Sequence, residues 1–112
     1  PLARLGSAVA NWPLSFAMRR QLSKAGLASN ERFFGKVDDG FIDERLLVNL
    51  VAQLPEGITE LGLHPATTTW TGEHAPPPHW RQSDELAALT SPRVREAVAA
   101  HAVTLCRWAD LA

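Results

Sequence analysis

The spacing of the apolar residues changes once, abruptly, between residues 42 and 64, and that change limits the folds open to the chain. Ile42, Leu46, Leu47, Leu50, Val51 and Leu54 form a wide stripe at helical spacing, which predicts a helix over about residues 43–53. Asp43 is placed to cap its start, and Pro55-Glu56-Gly57 to end it. Residues 58–63 then alternate around Glu60 as a strand does, finishing at His64-Pro65. A helix running straight into a strand is the repeating unit of layered α/β proteins with parallel strands.

The flanking segments extend this pattern. Residues 1–27 read as helical, with Pro13 opening a second helix or kinking one long one. Leu14, Met18, Leu22 and Ala25 recur at helical spacing, Arg19, Arg20 and Lys24 point elsewhere, and Gly26 is a suitable stop. Arg32-Phe33-Phe34-Gly35 reads as a strand or strand-like loop, and Asp38-Asp39-Gly40 as a turn. Residues 65–83 are too rich in Pro, Thr and Gly for a regular element, and a loop of that length is functional or disordered. A short helix is expected over residues 84–89. Ser91 and Pro92 then provide the N-cap and first turn of another, running to about Ala100. Residues 103–108 are predicted to close the chain as a buried strand. Cys106, with no base or activating environment in that run, is expected there as a small core residue.

Composition excludes several classes. A hydrophobic fraction of 46%, a charged fraction of 21% and a net charge of -1 describe an ordinary globular chain. No basic stripe is present to neutralise phosphates, so no nucleic acid is expected as partner. No apolar run approaches the roughly 20 residues of a membrane span, and no leader pattern is visible. The single cysteine cannot form an intrachain disulfide and suits a cytoplasmic setting. Two or three strands are too few for a parallel sheet, which normally carries helices on both faces. The chain also opens on Pro1 rather than methionine. Both features predict a piece of a larger barrel or sheet, whose exposed edges and uncovered apolar face would drive a homo-oligomer or swapped dimer.

Chemistry in such folds gathers at the carboxyl ends of the strands. His64 stands there, where it can act as general acid or base, ligate a metal, or cap nearby backbone. His74 and His79 follow in the loop, but their spacing with His64 matches no compact zinc pattern, and they read as exposed loop residues. Trp70 and Trp80 flank the loop as stacking platforms for sugar faces or as loop anchors. Arg81 can hold a carboxylate or hydroxyl, or serve as a capping residue. His101, just after a helix, is expected to meet its terminal carbonyls.

Residues 57–66, Gly-Ile-Thr-Glu-Leu-Gly-Leu-His-Pro-Ala, followed by residues 81–92, Arg-Gln-Ser-Asp-Glu-Leu-Ala-Ala-Leu-Thr-Ser-Pro, resemble the C-terminal signature of the YdjC-like carbohydrate deacetylases. Asn30-Glu-Arg-Phe-Phe-Gly35 and residues 46–55 look like the segment preceding it, so the resemblance spans roughly residues 27–106. The phrasing around Phe33-Phe34-Gly35 and His64-Pro65-Ala66-Thr67 is most similar to the hopanoid biosynthesis-associated subgroup, HpnK. The resemblance implies an α/β fold, a distorted (β/α) barrel of which residues 1–112 form the C-terminal part. It also implies metal-assisted hydrolysis of an acetamido group on an N-acetylated sugar. The family's divalent-metal ligands lie in its N-terminal half, and none of those motifs is in this chain, so no metal is expected here and the chain alone is expected to be inactive. What carries over is His64 as catalytic residue, protonating the leaving amine or stabilising the tetrahedral intermediate, with Arg81 orienting it or the substrate. Trp70 and Trp80 join Arg81 as candidate substrate contacts. The alternative is a stand-alone α/β interaction module that binds a partner through the 65–83 loop.

Overall fold

The computed structural model describes residues 2–36 and 40–111, with side chains from Pro13 onward. Asp38 and Asp39 of the expected turn lie outside the described residues. The element order is α1 (Leu2–Lys24), β1 (Arg32–Phe34), α2 (Glu44–Ala52), β2 (Thr59–Leu61), α3 (Gln82–Thr90), α4 (Pro92–Ala100) and a 3₁₀ turn (Trp108–Asp110). β1 and β2 pair in parallel, with Arg32 opposite Thr59, Phe33 opposite Glu60 and Phe34 opposite Leu61. The chain is thus a mixed α/β structure around a two-stranded parallel sheet. Parallel pairing sends both strands out on the same side, so the loops after Phe34 and after Leu61 leave together.

The strand exits are set by two glycines. The Gly62 N–H donates to the Phe34 carbonyl at 2.9 Å, which extends the pairing one step beyond β2. Gly35 sits at φ +110, and a Cβ there would lie 2.1 Å from the Gly62 carbonyl oxygen. Only a residue without a side chain lets the two backbones come this close.

The core lies where α2, α3 and α4 meet. Ile42, Leu47, Val51, Ala88 and Val94 are buried, with Leu61 and Leu63 from the β2 region packed against them. The expected caps form. Asp43 Oδ1 accepts the Leu46 N–H at 2.8 Å at the start of α2. At the start of α4, Ser91 Oγ accepts the Arg93 N–H at 3.1 Å and donates to Glu44 Oε2 at 2.6 Å. Arg93 Nη1 reaches the other oxygen of Glu44 at 2.9 Å. One carboxylate in the first turn of α2 thereby ties that helix to the start of α4.

Two expectations are corrected. Residues 103–107 form no strand. α4 ends at Ala100, and Ala102, just past the cap, takes a left-handed φ of 53. Its N–H bonds the Ala99 carbonyl at 3.2 Å, and Val103 N–H bonds Val98 at 3.0 Å. This terminator turns Val103 onto the core and leaves the next residues without a strand partner among the described residues. Cys106 is accordingly exposed rather than buried. Beyond it, hydrogen bonds from the side chain and then the backbone of Arg107 hold the Asp110 carboxyl below its ordinary range.

Of the two readings of Pro13, α1 takes the single long helix, with Pro13 inside it. Gly26 stops it as expected, at φ 68, with Leu27 N–H bonded to the Leu22 carbonyl at 3.0 Å. Its apolar stripe does not join the core: Leu14 is 61% and Met18 54% exposed. Among the described residues α1 packs against no other helix or strand. Arg19 tethers it instead, donating to the main-chain carbonyls of Asn30 and Glu31. His101 caps α4 through its backbone N–H, which bonds the Ala97 carbonyl.

Gly35→Ala is expected to destabilise the fold by more than the ~1–2 kcal/mol that left-handed backbone alone costs an L-residue, because the new methyl meets the Gly62 carbonyl. Urea denaturation measures it, and an unchanged midpoint would refute the close approach.

Candidate functional site

The two loops that leave the sheet together cross over the start of α3. β2 delivers His64 three residues past its end, and the chain then makes a long excursion through residues 65–81 before α3 begins. That excursion is irregular, as its composition predicts, but α3 opens at Gln82, slightly earlier than expected. On its way back the loop lays Trp80 against His64, with ring centroids 4.2 Å apart and planes inclined by 41°. The Arg81 N–H then donates to the Gly40 carbonyl at 2.7 Å, joining the loop from β2 to the loop from β1.

Gly40 is what allows the Trp80 ring to settle there. It is buried, has φ +74, and a Cβ at this position would lie 2.4 Å from Trp80 Cγ. Trp80 is therefore held between the Gly40 backbone and the His64 imidazole. Beside it, Phe41 and His79 stack at 5.5 Å with an interplanar angle of 16°, and the Phe41 ring is partly exposed. A half-buried imidazole thus sits against the Trp80 ring at the carboxyl end of a parallel strand pair.

The other candidates divide. Arg81 is next to Trp80 in sequence, but its guanidinium is paired with Asp84 in the first turn of α3 and is largely exposed. Trp70 closes over its own loop: its indole N–H donates to the Glu73 carbonyl at 2.9 Å, and its ring lies where a Cβ on Gly72 would fall. His74 is exposed and faces Glu73 at 3.8 Å. The structure brings Trp80 to His64, keeps Arg81 beside them, and gives Trp70 contacts within its own turn.

Three residues of this site are absent from the sequence reading: Phe41, His79 as a stacking partner, and Glu85. Glu85 has no exposed surface. Its Oε2 accepts the His64 main-chain N–H at 2.6 Å, and its Oε1 accepts the Ile42 N–H across a longer 3.4 Å. A buried carboxylate is tolerated only with such donors, and the first turns of α3 add the positive end of a helix dipole.

The family model described as YdjC-like protein matches residues 2–100. The chain belongs to the YdjC-like family. This is a family related to carbohydrate deacetylases, which supports a coarse reading as a hydrolase acting on a sugar. No curated protein and no solved structure matches the chain. YdjC-like proteins are generally metal-dependent. Among the described residues, no group of three or more His, Cys, Asp or Glu side chains comes together to hold an ion. Among the described residues, no helix is long and apolar enough to cross a membrane. An apolar groove of about 480 Å³ lies between α2, α4 and residues 103–106, and neither His64 nor Trp80 lines it.

Gly40→Ala is expected to displace the Trp80 ring from His64, because the methyl would occupy the position of Trp80 Cγ. In proton NMR the imidazole ring protons of His64 should then lose the shielding of the neighbouring indole. Unchanged His64 resonances would show that Gly40 does not set the ring contact.

Proposed function

We propose that this chain supplies the proton-handling histidine of a carbohydrate deacetylase, a hydrolase that removes the acetyl group from an N-acetylated sugar. The observation that carries the reading is the half-buried His64 imidazole, at the carboxyl end of a parallel strand pair and tilted against Trp80. Amide hydrolysis requires the departing nitrogen to be protonated as the tetrahedral intermediate collapses, and an imidazole titrates in the range where it can give that proton near neutrality. Trp80, beside His64, is a candidate sugar contact along its ring edge, and Arg81 carries donors for the hydroxyls. Trp70 is the outermost of the proposed substrate contacts.

In this reading the chain forms the C-terminal part of a single catalytic domain of the distorted (β/α)-barrel type, and the divalent ion characteristic of the family is held by the rest of that domain. The isolated chain would then be inactive. A two-stranded parallel sheet, too small to be covered on both faces, supports this view. The wording of the sequence around Phe33-Phe34-Gly35 and His64-Pro65 favours the hopanoid biosynthesis-associated HpnK subgroup, hence a cytoplasmic deacetylation step in hopanoid side-chain synthesis.

His64→Ala in the parent catalytic domain is expected to lower kcat by about 10²–10⁴-fold, the usual contribution of a positioned acid or base. Unchanged turnover of an N-acetylated sugar would remove His64 from the mechanism.

The same reading makes the chain self-associating when alone. α1 exposes Leu14 and Met18, and Leu89 and Leu105 add apolar surface at 45% and 81% exposure. Size-exclusion chromatography with light scattering should return a homo-oligomer or swapped dimer. A strict monomer would contradict the proposal and favour a self-sufficient module.

A further inference from the structure

We infer that Glu85 is a positioning residue for His64, and that it fixes the imidazole by holding its backbone together with the wall opposite. The kinetic part of this inference rests on the deacetylase reading above; the structural part does not. A helix normally buries its apolar side chains, yet in α3 Glu85 is fully buried while Leu89 is 45% exposed. A local rule broken in this way, at the foot of a candidate site, marks a residue kept for what it holds rather than for what it buries.

What Glu85 holds is specific. Its Oε2 takes the His64 N–H at 2.6 Å, the short distance of a charge-assisted bond. That N–H is on the residue whose ring is in question, so the bond fixes the backbone from which the imidazole projects. Its Oε1 takes the N–H of Ile42, two residues from Gly40, against which Trp80 rests. A single carboxylate therefore spans the exit of β2, which carries His64, and the exit of β1, which backs the ring facing it. Neutral glutamine has the same shape but presents one accepting oxygen and one NH₂. One of the two backbone donors would then face a donor.

The test is Glu85→Gln, read in two ways. By NMR, the carbon-bound imidazole protons of His64, shielded by Trp80, should move toward the values of free histidine while the methyl resonances of Leu47 and Val51 stay in place. In the parent catalytic domain, kcat for an N-acetylated sugar should fall about 10- to 100-fold, as when an outer partner of a functional side chain is lost, with KM unchanged. In a His64→Ala background the same substitution should cost nothing further. Unmoved His64 ring resonances, or an equal loss of kcat with and without His64, would overturn the inference. If Glu85→Gln does not fold, the wild-type chain still decides. The His64 amide nitrogen should show a through-hydrogen-bond coupling to the Glu85 carboxyl carbon, and the absence of that coupling would overturn the assignment. A wild-type parent with no deacetylase activity would sink the functional reading alone, since the His64 resonances still report whether Glu85 places the ring.

Discussion

A carboxylate without solvent-exposed surface stands where the two strand exits and the start of α3 converge, and the geometry of the site follows from the need to satisfy it. A buried ionised group costs several kcal/mol unless donors surround it. Here the donors are main-chain N–H groups of two different loops, one at 2.6 Å and one at 3.4 Å. Because those donors belong to His64 and Ile42, satisfying Glu85 and arranging the site are the same event. The loop from β2 cannot move away from α3 without stranding the charge. The loop from β1 is bound to it more weakly by Glu85, and a second time through the Arg81 N–H and the Gly40 carbonyl at 2.7 Å.

The strand pair itself is short, three residues on each side, and a two-stranded sheet is not stable without packing against something else. The packing comes from the helices. Leu61 is half-buried against a core contributed by α2, α3 and α4, and Glu44 fastens the first turn of α2 to the start of α4 through Ser91 and Arg93. The glycines at 35 and 62 then bring the two backbones together just past the strands, which sets how closely the loops leave. His64 therefore follows directly on a strand exit that packs against the core, although it lies formally in a loop.

Much of this frame was legible in the residue order. The stripe from Ile42 to Leu54, the alternation around Glu60 and the Ser91-Pro92 start are local signals, and each is decided within a turn or two of chain. The errors occur where the outcome depends on distant partners. Residues 103–108 have strand-like composition, but a strand exists only if an edge receives it. The left-handed turn at Ala102 commits the chain elsewhere, and an alanine gives no sequence warning of such a turn as a glycine would. The stripe of α1 is likewise a correct local pattern whose tertiary partner is not found among the described residues. Within the site, His64 and Trp80 could be proposed from position at a strand end and from ring chemistry. Glu85 could not, since an acidic residue in a first helical turn ordinarily faces water and complements the dipole there. Its burial depends on the crossing of two loops that are far apart in sequence. The pairing of Phe41 with His79 depends on the same crossing.

The way the site is held also bears on its chemistry. If His64 has the role proposed for it, it benefits from a fixed position but not from a bond that locks one charge state. Anchoring through the main chain separates the two requirements. The Glu85 bond acts on the peptide N–H, which does not titrate, while Trp80 meets the imidazole itself. The indole restrains the ring by contact, with the backbone of Gly40 behind it as a rigid stop. In that arrangement the position of the imidazole is set by its own backbone and by ring contact, whatever charge the ring carries.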